Sequence, residues 1–173
     1  MNGVPRVIAF ADGAKGIFKP FSGEDHRLRA EVDGDFWKRE ATTSDVAEML
    51  GVGDLVPATS VREHNGEIGS IQRWQDDVQD AYEVGEEERY DGPEKLASLA
   101  AFLIVNGESD CHLGQWGVRG NDLIKWDNGA TWPKSNTEAD GDAFPVGRAL
   151  SENLPVPAEV DKWIESWGGV RAL

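Results

Sequence analysis

The chain has 173 residues, 39% hydrophobic and 28% charged, with seven Trp and six Phe, which supplies enough apolar surface for a globular core. Its formal net charge of -15 repels phosphate backbones and anionic lipid, excluding nonspecific binding to nucleic acid or a membrane surface, but not a nucleotide held by local cations and a metal ion. No run approaches the ~18–20 apolar residues that span a bilayer. The single cysteine, Cys111, rules out an internal disulfide and a cysteine-based zinc site.

The first residues, Met1–Arg6, lack the basic region and apolar stretch of a signal peptide, so the expected compartment is the cytoplasm. Val4–Phe10 and Gly16–Lys19 are apolar runs around Ala11-Asp12-Gly13-Ala14, a hairpin signal, and Pro20 ends the second strand. Ser22–Asp33 is polar and predicts a loop. Phe36–Leu50 predicts a helix, with Trp37, Ala41, Ala47 and Leu50 on one side and Gly51 just past its end. Val56–Glu63 and Glu67–Trp74 predict two strands joined at His64-Asn65-Gly66, because Asn-Gly suits a tight turn.

Gln75–Asp91 is acidic and poor in apolar residues, which predicts a solvated connection between two lobes. Pro93, with Asp91 before it, opens a helix whose stretch Leu96–Val105 is nearly all apolar and should be buried. Trp116–Val118 and Leu123–Trp126 flank Arg119-Gly120-Asn121 as a second, smaller hairpin. Val160, Trp163, Ile164 and Trp167 follow the spacing of an amphipathic helix that Gly168-Gly169 would stop. Strands and one helix come first, then helices around a small hairpin. This order predicts an α+β fold with segregated halves, residues 1–77 and 78–173, forming one compact unit.

Three separated pieces carry chemistry. Lys19 closes an apolar strand; it either marks a strand end meeting solvent or sets a compact cation over a cleft, where Glu40 on the following helix would pair with it. Glu108–Gln115 lies between the buried helix and the small hairpin. Asp110 there can accept a proton from an attacking hydroxyl and Gln115 can offer an amide oxygen to a metal, or the Asp110 and His112 pair can simply cap local backbone. Asp127-Asn128-Gly129 ends a strand, either as an ordinary turn or as a carboxylate placed to hold Mg²⁺, which prefers oxygen ligands and keeps several waters. His26, His64 and His112 are too scattered to form a metal cluster.

Taken in order, these pieces resemble a known family. Gly16-Ile17-Phe18-Lys19-Pro20, Arg39-Glu40-Ala41, Leu55-Val56-Pro57-Ala58-Thr59 and Gly69-Ser70-Ile71-Gln72-Arg73-Trp74 are similar to F-K-P, R-E-x-A, L-V-P-x-T and G-S-x-Q-x-[FW]. Those motifs belong to small bacterial and phage proteins of the phosphatidylinositol 3-/4-kinase-like, HipA-related atypical kinases. Gly107–Trp116 and Trp126–Pro133 resemble that family's G-N-T-D-R-H-x-G-N-W loop and I-D-N-G-x-x-F-P strand end, so the resemblance covers about residues 7–133.

The resemblance implies a two-lobed protein-kinase-like fold, with a β-rich N-lobe carrying one helix and a reduced, mainly helical C-lobe containing a small hairpin. It implies ATP and Mg²⁺ as cofactors and a protein or small-molecule hydroxyl as acceptor; the net charge, rather than the resemblance, predicts no nucleic acid and no membrane as partner. Lys19 would contact the α- and β-phosphates and Glu40 would orient it, while Gln72, Arg73 and Trp74 would lie along the adenine-binding connection. Asp110 would be the catalytic base with His112 supporting its loop, and Asp127 the main metal ligand with Gln115 beside it.

Three positions depart from the pattern: Glu108 and Gln115 stand where Asn is usual, and Cys111 where Arg is usual. Glu108 should add a negative charge near Asp110 and push a neighbouring carboxyl's pKa up. The resemblance therefore implies either an active ATP- and Mg-dependent phosphotransferase or a pseudokinase, a nucleotide-binding or structural module of the same fold.

Overall fold

In the computed structural model the described residues are 4–25, 35–84, 93–108, 110–132 and the single positions 158 and 162. Strands β1 (Arg6–Ala9), β2 (Lys15–Pro20), β3 (Thr59–His64) and β4 (Glu67–Arg73) form one antiparallel sheet in the order β1-β2-β4-β3. Strands β5 (Gln79–Asp80), β6 (Trp116–Arg119) and β7 (Asp122–Lys125) form a second sheet in sequence order. With helices α1 (Phe36–Met49) and α2 (Pro93–Asn106), the fold is α+β. The amphipathic helix expected over 160–167 and the capping role of Asp91 lie outside the described residues.

The local rules explain most of the first sheet. β1 turns into β2 through Phe10–Ala14, closed by the Phe10 N–H on the Ala14 carbonyl at 2.8 Å. Asn65 and Gly66 take φ of 54° and 77°, the left-handed pair of a tight hairpin, and so join β3 to β4. The register sets Lys19 opposite Ser70 and Pro20 opposite Gly69. β3 starts at Thr59, three residues later than the apolar pattern suggests. Leu55 ends a 3-10 turn, and it and Val56 go instead into the core.

Helix α1 buries Trp37, Glu40, Ala41, Thr43, Ser44 and Ala47, one side at helical spacing. Three of the six are polar, so hydrophobicity alone marks only part of the buried face. Glu24 accepts the Trp37 N–H at 2.7 Å and satisfies a donor in the first turn. At the far end the Val52 N–H reaches the Ala47 carbonyl at 2.9 Å and the Gly51 N–H the Glu48 carbonyl at 3.1 Å, a Schellman closure.

Gln75–Asp91 differs from the solvated connection predicted for it. Its described part contains β5, which pairs Gln79 with Val118, and it buries Ala81 and Val84 completely or nearly so. Composition averaged over the stretch hides two apolar anchors among the acids. Ala81 and Val84 join Leu96, Leu99, Phe102 and Leu103 of α2, together with Trp116, Val118, Leu123 and the Val52–Val56 segment, in one contiguous core. That core supports the end of α1, the end of α2 and the β6–β7 hairpin together.

Candidate functional site at the ends of β2, α2 and β7

Lys19 stands near the end of β2, and its ammonium is held by carboxylates from two other elements. Glu40, buried in α1, pairs with it, and the Asp127 Oδ1 lies 3.1 Å away. Burial works against the Lys19 charge, but Glu40 and then Asp127 outweigh it and raise its pKa well above the ordinary lysine value. Glu40 is pushed the other way from a free carboxylate: burial raises its pKa, and Lys19 and the Asn128 backbone N–H only partly offset this. Around Asp127 the low-polarity surroundings would raise the pKa, yet Lys19 and Lys125 together hold it below the usual aspartate value. One ammonium thus serves two carboxylates, and the Asp127 side chain keeps 54% exposure for a further partner.

Gln72 belongs to this group. Its amide nitrogen lies 3.3 Å from the Thr59 hydroxyl and 3.5 Å from Glu40 Oε2, so the buried Gln72 backs the carboxylate that holds Lys19. Arg73 and Trp74 lie apart from it. They line an open cavity of about 470 Å³ with Pro57, Asp76, Arg119 and Ile124, and neither Lys19 nor Asp127 borders that space.

The turn after β7 is pinned at every step. Asp127 has φ 59°, a left-handed conformation unusual for a residue with a side chain. Lys125, fully buried, donates to the carbonyls of Trp126 at 2.7 Å and Asp127 at 2.8 Å and so holds that conformation. Beyond the turn, Arg39 of α1 donates to the carbonyls of Thr131 and Trp132, and Trp132 N–H reaches the Asn106 carbonyl at 2.7 Å. The Trp132 indole donates to Thr43 at 3.2 Å, and the Thr43 and Thr131 hydroxyls lie 2.9 Å apart. The segment carrying Asp127 is therefore fixed to α1, the helix that carries Glu40.

The second group is the loop after α2. Gln115 donates its amide to the Asp110 Oδ2 at 3.0 Å, and its own Oε1 is buried without a hydrogen-bond partner among the described residues. Asp110 is exposed. His112 is exposed as well and caps a short 3-10 turn, its Nδ1 accepting the Gly114 N–H at 3.0 Å. That contact caps local backbone, one of the two readings the sequence left open for it. The two groups meet through the backbone, where the Trp126 N–H donates to the Gln115 carbonyl at 2.9 Å.

Glu108 lies against Asp110 and has a further partner that the sequence reading did not name: Oε1 accepts the Asp110 N–H at 3.0 Å, and Oε2 lies 3.5 Å from the Lys125 ammonium. Burial raises the Glu108 pKa, opposed by Lys125 and the Asp110 N–H. Sequence reasoning missed Lys125 altogether; the available signal was a lysine inside an apolar strand whose neighbours Leu123 and Ile124 are both core residues.

A metal would find few protein oxygens here. Among the described residues no group of three or more His, Cys, Asp or Glu side chains is arranged to hold an ion. The Asp127 carboxylate is half-open, an oxygen site of the kind Mg²⁺ takes beside phosphate and water, whereas the Gln115 Oε1 is buried without a hydrogen-bond partner among the described residues. A dedicated protein cage, such as Ca²⁺ takes, does not fit. Also among the described residues, no helix is long and apolar enough to cross a membrane. The chain matches no protein-family model and no curated protein.

Proposed function

We propose that the protein is an ATP- and Mg-dependent phosphotransferase of the two-lobed, protein-kinase-like kind, acting on a hydroxyl of a protein or small molecule. The observation that carries this reading is the Lys19 ammonium held between Glu40 and Asp127, three residues from β2, α1 and the turn after β7. Such an ammonium can neutralise phosphate oxygens without leaving its carboxylate partners. Asp127 and Gln115 would offer oxygens to Mg²⁺, which when bound would supply positive charge to offset the charge developing on the phosphates. Asp110, exposed at the loop, would take the proton of the acceptor hydroxyl as its oxygen bonds to the γ-phosphorus and ADP departs.

Phosphoryl transfer asks mainly for positioning, and the hydrogen bonds that hold the turn at Asp127 support this reading. A second reading, nucleotide binding without transfer, is favoured by one contact. The Gln115 amide is spent on Asp110, so the group meant to bind metal also occupies the intended proton acceptor. Thermal unfolding with ATP and Mg²⁺ separates these. Binding predicts a gain of about 2.7 kcal/mol at a hundredfold excess over the dissociation constant. Phosphoryl transfer lost in Asp110→Ala with that gain intact supports the phosphotransferase; a gain without transfer in the wild type supports the binding module, and no gain removes both.

A further inference from the structure

Glu108 and Lys125 are both fully buried, with side chains 0% exposed and their charged atoms 3.5 Å apart. Neither has a place in the chemistry proposed above. Each is committed, however, to the backbone of a residue that does. Gly107, at φ 61°, ends α2 with a second Schellman closure: its N–H meets the Ile104 carbonyl at 3.1 Å and the Glu108 N–H meets the Leu103 carbonyl at 3.0 Å. The helix end thereby directs Glu108 inward, where Oε1 takes the Asp110 N–H. From the other side β7 brings in Lys125, which spends one N–H each on the Trp126 and Asp127 carbonyls and sets its charge beside Glu108.

Lys125 has two carbonyl acceptors, and its contact with Glu108 at 3.5 Å is ionic: the Glu108 Oε2 has no hydrogen-bond partner among the described residues, so the ammonium is what compensates its charge. Removing either member leaves the other uncompensated. We propose that Glu108 and Lys125 are a positioning pair: one buried ion pair that sets the backbone of Asp110 and of Asp127 together, fixing the proton acceptor relative to the phosphate-facing carboxylate. The functional meaning rests on the phosphotransferase reading above; the mechanical link between the two turns does not. Glu108, the buried carboxylate just past the end of α2, then has its counterpart in Lys125.

The test uses Glu108→Gln, Lys125→Met and the double variant, with three readouts. In the free protein, amide resonances of Asp110 and Asp127 are followed by NMR. Lys125→Met is expected to move both, and movement of Asp127 alone overturns the link. Denaturation midpoints of the four proteins should be non-additive, the double variant recovering most of what either single variant loses; additive losses overturn the pair. The third readout is MnATP affinity. A merely structural pair predicts wild-type affinity once stability is recovered in the double variant. Positioning predicts a loss of about 10–100-fold, as for groups that orient metal ligands, because methionine cannot hold the two carbonyls. Unchanged affinity in the double variant overturns the positioning role. No binding by the wild type overturns the phosphotransferase reading and with it the functional meaning, and the NMR and denaturation results then decide the link alone.

Discussion

At the scale of single residues, the balance of charge decides how the site behaves with pH. Four charges meet around Asp127: its own, Glu40, Lys19 and Lys125, with Glu108 behind. Glu108 gives the cleanest test. Its pKa is raised from 4.5 by burial, so on acidification the folded state takes up a proton before the unfolded chain does. Between its folded-state pKa and 4.5 this group therefore makes the protein more stable as pH falls, and the gain is complete below 4.5. Urea denaturation of wild type and Glu108→Gln at neutral pH and near pH 5 measures it. The wild type should gain on the variant as pH falls, and a constant difference would mean Glu108 titrates as a free carboxylate.

The same scale shows what the sequence disclosed. Lys19 and Glu40 were legible as a pair only as one of two readings of a strand-end lysine, and in the fold they do pair. Gln72, expected along a nucleotide connection, has Glu40 and Thr59 as side-chain neighbours, which its place in the chain does not announce. Glu108 looked like an uncompensated charge because its partner, Lys125, stands on another element. Spacing along a chain reports neighbours on one helix or strand, and a buried ion pair between a helix end and a hairpin leaves no such periodicity.

Among the elements, the hairpins and helices followed their turn chemistry closely, while the Gln75–Asp91 segment did not. Two apolar residues and a two-residue strand were enough to attach it to the core. The contact between β2 and β4 makes a sharper prediction. A Cβ at Gly69 would sit 2.2 Å from the Lys19 carbonyl oxygen and 2.9 Å from the Pro20 Cα, both backbone atoms that cannot swing aside. Gly69→Ala should therefore force the strands apart beside Lys19 and cost about 1–3 kcal/mol, the usual range for overpacking. Ile68→Ala, next door but 45% exposed, should stay within about 0.5 kcal/mol. Chemical denaturation compares them, and equal effects would show that the close approach at Gly69 has no energetic weight.

For the whole molecule, the contiguous core matters because it ties the supports of the site into one body. Leu99, Phe102 and Leu103 of α2 pack with Trp116 and Leu123 of the hairpin and with Ala47 at the end of α1. The α+β composition was legible from strand and helix signals; the shared core was not, since it is assembled from residues far apart in the chain. The central claim is that Lys19, Glu40 and Asp127 form a phosphate- and Mg²⁺-binding centre. Calorimetric titration with ATP, with and without Mg²⁺, tests it on wild type, Lys19→Met and Asp127→Asn. The account predicts wild-type binding that weakens when Mg²⁺ is withheld, weaker binding by Lys19→Met under both conditions, and binding by Asp127→Asn that no longer responds to Mg²⁺. Equal affinity in all three proteins, or no heat of binding in the wild type, would contradict it.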